Sequence, residues 1–273
     1  MKKILCLLLA LVMMTGSVLA FSSCADEEET NTPEETDNTL VCGVTIFANM
    51  NEQDANGNWT GFESEFAMEV GKLINMNVEF QIIDWSQKYN ELNSGAIDCI
   101  WNGFTANSSD NGIKRSDLVD FSYGYMLNQQ CIVAKTENLA QFTDEASLNG
   151  KSAAAEGGSA GEAYAKEATT NVLPVTAQID AFREVSSGAV DFIVVDILLA
   201  QNLCGKGNYT DLSIVPTITL PSEIYAIGFK KGSDLTAKVN AAILTLRDNG
   251  KLMELATKYG FENVLQVSTD PID

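Results

Sequence analysis

The chain has 273 residues, 37 acidic against 17 basic side chains, a formal net charge of −20 and no histidine. That balance argues against nucleic acid and anionic membrane surfaces as partners. Without histidine there is no Ser–His or Cys–His nucleophile system and no histidine-ligated metal, and no cysteine pair has metal spacing, so neither cofactor nor metal is expected.

Met1 to about Ala20 carries two lysines and then the apolar run ILCLLLALVMM, the pattern of a secretory signal, too short for a stable span. Phe21–Cys24 resembles the bacterial lipobox, which implies a signal over residues 1–23, a lipidated Cys24 and an anchor on the outer face of the membrane. Cleavage after Ala20 would instead release the protein. Residues 25–39 are acidic and polar, a tether that cannot bury enough apolar surface to order itself. Loss of Lys2 and Lys3 leaves 15 − 37 = −22 on the mature chain.

From Leu40 the pattern is regular. Residues 40–47 read as a buried strand, the Asp54–Gly57 run as a turn, and 61–74 as a helix with Phe62, Phe66 and Val70 on one face. Strand 78–83, a short helix capped by Ser86, and strand 96–101 follow. The same plan recurs with strand 151–155, a helix opened by Gly157-Gly158-Ser159, strand 172–175, helix 177–187 and strand 190–195. Ile224–Phe229 is one more strand, and helices 235–248 and 250–259 close the chain. Repeated strand–helix–strand units imply an α/β fold of two lobes, each a mainly parallel sheet flanked by helices. Lobe 1 is residues 40–127 plus 224–273 and lobe 2 is the inserted 128–223, joined by crossing strands near 127–132 and 220–226. Ligands of such sheets sit beyond the carboxyl ends of the strands.

The ends of these strands carry the candidate site. Asn102, Gly103 and Thr105 form a polar run, and Arg115 offers a guanidinium suited to a carboxylate. The alternative for Arg115 is a solvated helix residue paired with Asp117 or Asp120. Trp85 is either core or a ligand platform, and Asp196 either a ligand group or the cap of the helix after it. Asp98 and Asp191, in a repeated Gly-Ala-x-Asp, read as structural. Glu63 and Glu65 read as first-turn acids serving the helix dipole. Gly157-Gly158 lacks a P-loop lysine, which argues against a nucleotide site. Cys42, Cys99, Cys131 and Cys204 read mostly as small buried thiols, with any pairing left open.

The ordered set GNWTGFESEFA, ELNSGAIDCIWNGFT, KRSDLVDFSYGY, EGGSAGEAY, SSGAVDFIVVD and YAIGFKKGSDL resembles the bacterial extracellular solute-binding proteins for polar amino acids, over about residues 40–259. The resemblance implies a type II periplasmic-binding-protein-like fold and an ABC importer whose permease receives the amino acid. It implies a monomer without catalysis. It places the ligand carboxylate on Arg115 and on the amides of Ser159 and Ala160, the ammonium on Asp196, the polar contacts on Asn102, Gly103 and Thr105, and aromatic walls at Trp85 and Phe47. The chain departs from the family pattern in three ways. SSDNG is inserted before Arg115 and is expected to displace it, Ala160 replaces a hydroxyl residue, and bulky Trp101 stands beside the site. The lack of an acid near Thr45 favours a neutral polar or sulfur-containing amino acid. The alternatives on this scaffold are an exported carboxylate dehydratase, with Glu156 or Asp196 as general acid, and a ligand-sensing lipoprotein.

Overall fold

A computed structural model describes residues 38–272, so the signal segment, Cys24 and all but the end of the acidic tether lie outside the described residues. No described helix is long and apolar enough to cross a membrane. The first strand, Thr39–Val44, starts one residue earlier than expected because Thr39 already pairs with Asn77. It pairs in parallel with Asn77–Ile82 on one side and Cys99–Ile100 on the other. A second sheet repeats the arrangement, with Ser152–Glu156 parallel to Asn171–Val175 and to Phe192–Asp196. The repeated aspartates are pins of this design. Asp98 Oδ2 accepts the Val41 amide at 2.8 Å, and Asp191 Oδ2 accepts the Ser152 amide at 2.7 Å.

Antiparallel strands complete both sheets. Gly228–Phe229 joins Cys99–Ile100 to Asp120–Phe121 in the first. In the second, the long strand Gly124–Lys135 pairs with Phe192–Asp196, Leu212–Ile214, Ser222–Tyr225 and Leu265–Ser268. The apolar run expected as one strand over 224–229 is therefore two. Ser222–Tyr225 belongs to one sheet and Gly228–Phe229 to the other. Between them the Ala226 amide donates to Phe104 O and the Ile227 amide to Ser122 Oγ, which turns the chain from sheet to sheet.

Helix Phe62–Ile74 buries Phe62, Phe66, Ala67 and Val70 and packs on the closing helices Leu235–Asp248 and Lys251–Tyr259. Trp101 belongs to this core, its ring edge-on to Phe66 at 5.0 Å between centroids. Asp84, not Ser86, caps the next element. Its carboxylate accepts the Ser86 amide at 2.9 Å, and a 3-10 turn, Trp85–Gln87, leads into helix Lys88–Ser94. Asp84 stands immediately before that turn, at the position from which a side chain reaches its free amides. Cys42 and Cys99 are register partners with Sγ atoms 3.6 Å apart, and all four described cysteines are free thiols.

Candidate functional site

The parallel strands deliver their carboxyl ends to one small, partly enclosed cavity of about 10 Å³. Trp85, Asn102, Gly103, Thr105 and Arg115 line it from the first sheet's side, and Gln130, Glu156, Ser159, Ala160, Gln178 and Asp196 from the second's. Eight of the nine predicted ligand residues thus meet at one place. Phe47 does not line the cavity. It is buried behind it, near Gly103, with its backbone bridged to Asn51. A larger surface hollow of about 440 Å³, lined by Glu145, Tyr164 and Lys166 among others, is open and gathers no comparable set of buried ionisable groups.

The polar run after Cys99–Ile100 is held from within. Asn102 Nδ2 donates to Thr45 O and Asn51 Oδ1, both at 2.9 Å, and its Oδ1 accepts the Thr45 hydroxyl at 2.6 Å. The Gly103 amide donates to both carboxylate oxygens of Glu63, at 2.9 and 3.1 Å. Glu63 also accepts the Tyr125 hydroxyl. This acid is fully buried, so its task is to fix the loop rather than to serve a helix dipole. Burial pushes its carboxyl up to about 7, against the lowering effect of the Tyr125 and Gly103 hydrogen bonds. Glu65, its neighbour on the helix, faces outward to Lys258 and Tyr259.

Arg115 is 1% exposed and is not displaced from the cavity. Its partner is neither Asp117 nor Asp120. The inserted SSDNG forms a hairpin, Ser109–Asp110 against Ile113–Lys114, and Asp110 Oδ1 accepts Arg115 Nη2 at 2.9 Å and Nε at 3.1 Å. Arg115 Nη1 donates to Thr105 O at 3.0 Å. Asp120 pairs instead with Lys231. Burial tends to raise the Asp110 carboxyl, but the charges of Arg115 and Lys88 outweigh it and hold the group below the usual carboxylate range.

Lys88 is a component that sequence reasoning missed. It is 2% exposed, its Nζ donates to Gly158 O at 2.8 Å and lies 3.6 Å from Asp110 Oδ2. It also sits over the Trp85 ring, 5.3 Å from the centroid, so Trp85 serves both packing and cavity wall. Burial and then the Arg115 charge push its ammonium down to about 8. One sequence signal pointed to it, since a lysine in the first turn of a helix stands at the unfavourable end of the dipole. Gly158 receives both cations, because Arg115 Nη2 also reaches its carbonyl at 3.3 Å. A side chain there is excluded twice, by φ +75° and by a Cβ that would stand 3.1 Å from Ser86 Cα.

The opposite wall is acidic. Asp196 precedes helix Ile197–Leu203 but its side chain makes no cap bond. Its Oδ1 accepts Asn128 and Gln130, each at 2.6 Å, and its Oδ2 accepts Gln178. The same two amides also reach Glu223 Oε2, at 2.7 and 3.0 Å. Burial raises the Asp196 carboxyl despite these hydrogen bonds, and burial followed by the Asp196 charge lifts Glu223 to about 7. Glu156, 2% exposed, ends the strand Ser152–Glu156, and its Oε1 has no hydrogen-bond partner among the described residues. Burial and the Asp196 charge lift it to about 8. Glu156 also lies beside Thr45, so the second sheet supplies the acid that the sequence around Thr45 lacks. Ser159 caps helix Ala160–Ala168 through its hydroxyl, which accepts the Glu162 amide at 3.0 Å, and its own amide donates to Glu156 O. Of the two predicted amide donors at this helix start, Ser159 N is therefore already engaged.

The chain is similar to known proteins. The arginine-binding extracellular protein ArtP of Bacillus subtilis (strain 168) is 26% identical over 253 residues, 91% of this chain and 96% of its own. The L-cystine-binding protein TcyJ of Escherichia coli (strain K12) is 26% identical over 254 residues, covering 92% of each. A solved ancestral arginine-binding protein bound to arginine superposes with a TM-score of 0.74 at 29% identity, over 81% of this chain and 98% of that one. The two-lobe type II fold and a binding rather than enzymatic role accord with these relatives. The profile of the bacterial extracellular solute-binding proteins, family 3, matches residues 40–263, and the chain belongs to that family.

Proposed function

We propose that the chain is the capture component of an ABC amino-acid importer, tethered through Cys24 on the outer face of the membrane and working as a monomer. Its two lobes, residues 40–127 with 224–273 and residues 128–223, hinge apart to admit ligand and close to present it to the permease. The ligand is an amino acid with a cationic side chain. The observation that carries this reading is the buried Glu156 Oε1, which has no hydrogen-bond partner among the described residues, in the same cavity as Asp196. Buried acids need cations, and a ligand bearing ammonium or guanidinium groups supplies them. This replaces the preference for a neutral amino acid, which rested on lobe 1 alone. Asp196 and Glu156 take the cationic groups, while the Ala160 amide and the remaining Arg115 donor face the anionic end. The arginine-binding ArtP and the ancestral arginine-binding protein support this choice, whereas the cystine-binding TcyJ does not bear on a cationic side chain.

Isothermal titration with arginine, lysine, ornithine, glutamine and cystine tests it. The basic amino acids bind more tightly than the neutral ones, and Asp196→Asn weakens them by about a hundredfold. Failure of every amino acid to bind, or binding indifferent to Asp196→Asn, rejects the reading.

A further inference from the structure

Arg115 has five N–H donors. Nε and Nη2 both donate to Asp110, Nη1 to Thr105 O, and Nη2 also to Gly158 O. One N–H on Nη1 is left over, so a two-pronged grip on a ligand carboxylate is closed while Asp110 stays in place.

Asp110 is built to stay. The hairpin that carries it turns through Asn111 and Gly112, with φ of 52° and 80°, the two left-handed residues that a tight primed turn requires. Its second oxygen accepts the Tyr89 hydroxyl at 2.5 Å and faces Lys88 Nζ at 3.6 Å. Arg115 thus spends its paired donors on a carboxylate of the protein, which it shares with Lys88 behind the cavity wall, and the other acidic or basic side chains lining the cavity are Glu156 and Asp196.

We propose that Asp110 is a specificity-determining residue: it supplies from the protein the carboxylate that a ligand would otherwise bring. The cleft consequently takes small organic cations without a carboxylate, diamines and guanidino amines, as well as the basic amino acids. This rests on the cleft being the ligand site proposed above. It widens the ligand class, because an amino acid's carboxylate then gains little from Arg115.

The test compares decarboxylated twins on the full chain by isothermal titration, L-lysine with cadaverine and L-arginine with agmatine. Each amine is expected to bind within about tenfold of its amino acid. A free arginine gripping the carboxylate by two charged hydrogen bonds would instead favour the amino acid by about a hundredfold or more. Asp110→Asn removes the carboxylate charge that stands in for the ligand's and shifts the amino-acid-to-amine ratio toward the amino acid by at least about tenfold. The ratio is taken within one variant, so a general loss of folding cancels. Amino acids that bind while amines are more than a hundredfold weaker overturn the proposal and leave amino-acid capture standing. A ratio unmoved by Asp110→Asn overturns the role of Asp110, and no binding by either twin of either pair overturns both readings.

Discussion

Glu63 illustrates how far a single residue departs from its local pattern. Helix periodicity makes it an ordinary first-turn acid, but it lies fully buried beneath the Gly103 amide, and burial lifts its carboxyl to about 7. Its folded value exceeds the unfolded one, near 4.5, so the native state holds the proton more firmly between those values. Its stabilising share is complete below about pH 4.5 and is lost as the pH rises through about 7. Thermal unfolding of ligand-free protein should therefore show falling stability from about pH 5 to 8, with Glu156 and Glu223 acting in the same direction. Glu63→Gln is expected to remove one share of that slope, on the order of 3 kcal/mol between the extremes. An unchanged slope in the variant would refute the account. Glu63 and Lys88 were hard to read from sequence because their partners are brought in by folding, Gly103 forty positions and Gly158 seventy positions away. Asp110 was missed for a different reason, since its partner Arg115 is only five positions on but is reached through a hairpin formed by the inserted segment. Asp196 was legible as a candidate because it stands at a strand end, and Arg115 because the family resemblance places a carboxylate-binding arginine there.

At the scale of elements, apolar periodicity located the long helices within a residue or so, since each buries one continuous face. The sheets were legible as parallel units but not at their antiparallel additions. Leu265–Ser268 was absent from the expectation, and the uniformly apolar 224–229 run gave no sign that the chain changes sheets inside it. Helix Ala160–Ala168 shows how an element positions the site. It approaches the Phe192–Asp196 strand so closely that a Cβ on Gly161 would stand 2.8 Å from both Val194 O and Gln130 Oε1. Those neighbours are backbone and an amide already engaged with Asp196, so neither yields cheaply. Gly161→Ala is expected to cost about 1–3 kcal/mol in denaturant unfolding, the usual range for overpacking. It should also weaken ligand binding by about tenfold, because Gln130 and the helix start are pushed together. A variant with native affinity despite lowered stability would separate this helix from the site.

The whole molecule adds a long-range charge to this local one. A net charge of −20 favours the approach of cations and makes their association fall with ionic strength. At the cavity the acids act collectively, for Asp196 and Glu223 share the amides of Asn128 and Gln130, and Glu156 is lifted by the Asp196 charge. With Glu223 near 7 and Glu156 near 8, the carboxyls hold protons at neutral pH that an arriving cation makes unnecessary. Ligand capture should therefore release protons, and affinity for a cationic ligand should rise as the pH goes from about 6 to 8. Lys88 works in the same sense, since its ammonium, pushed down to about 8, loses its charge over the upper part of that range. By linkage each proton released contributes up to tenfold in affinity per pH unit. Titration calorimetry of arginine or lysine at pH 6, 7 and 8, repeated in buffers of different ionisation enthalpy, measures both quantities. A flat dissociation constant would mean that the acids are already ionised without ligand and would refute the proton release. One tighter at pH 6 would mean proton uptake on binding, and Glu156, whose Oε1 has no partner among the described residues, would then not be the group that selects the cation.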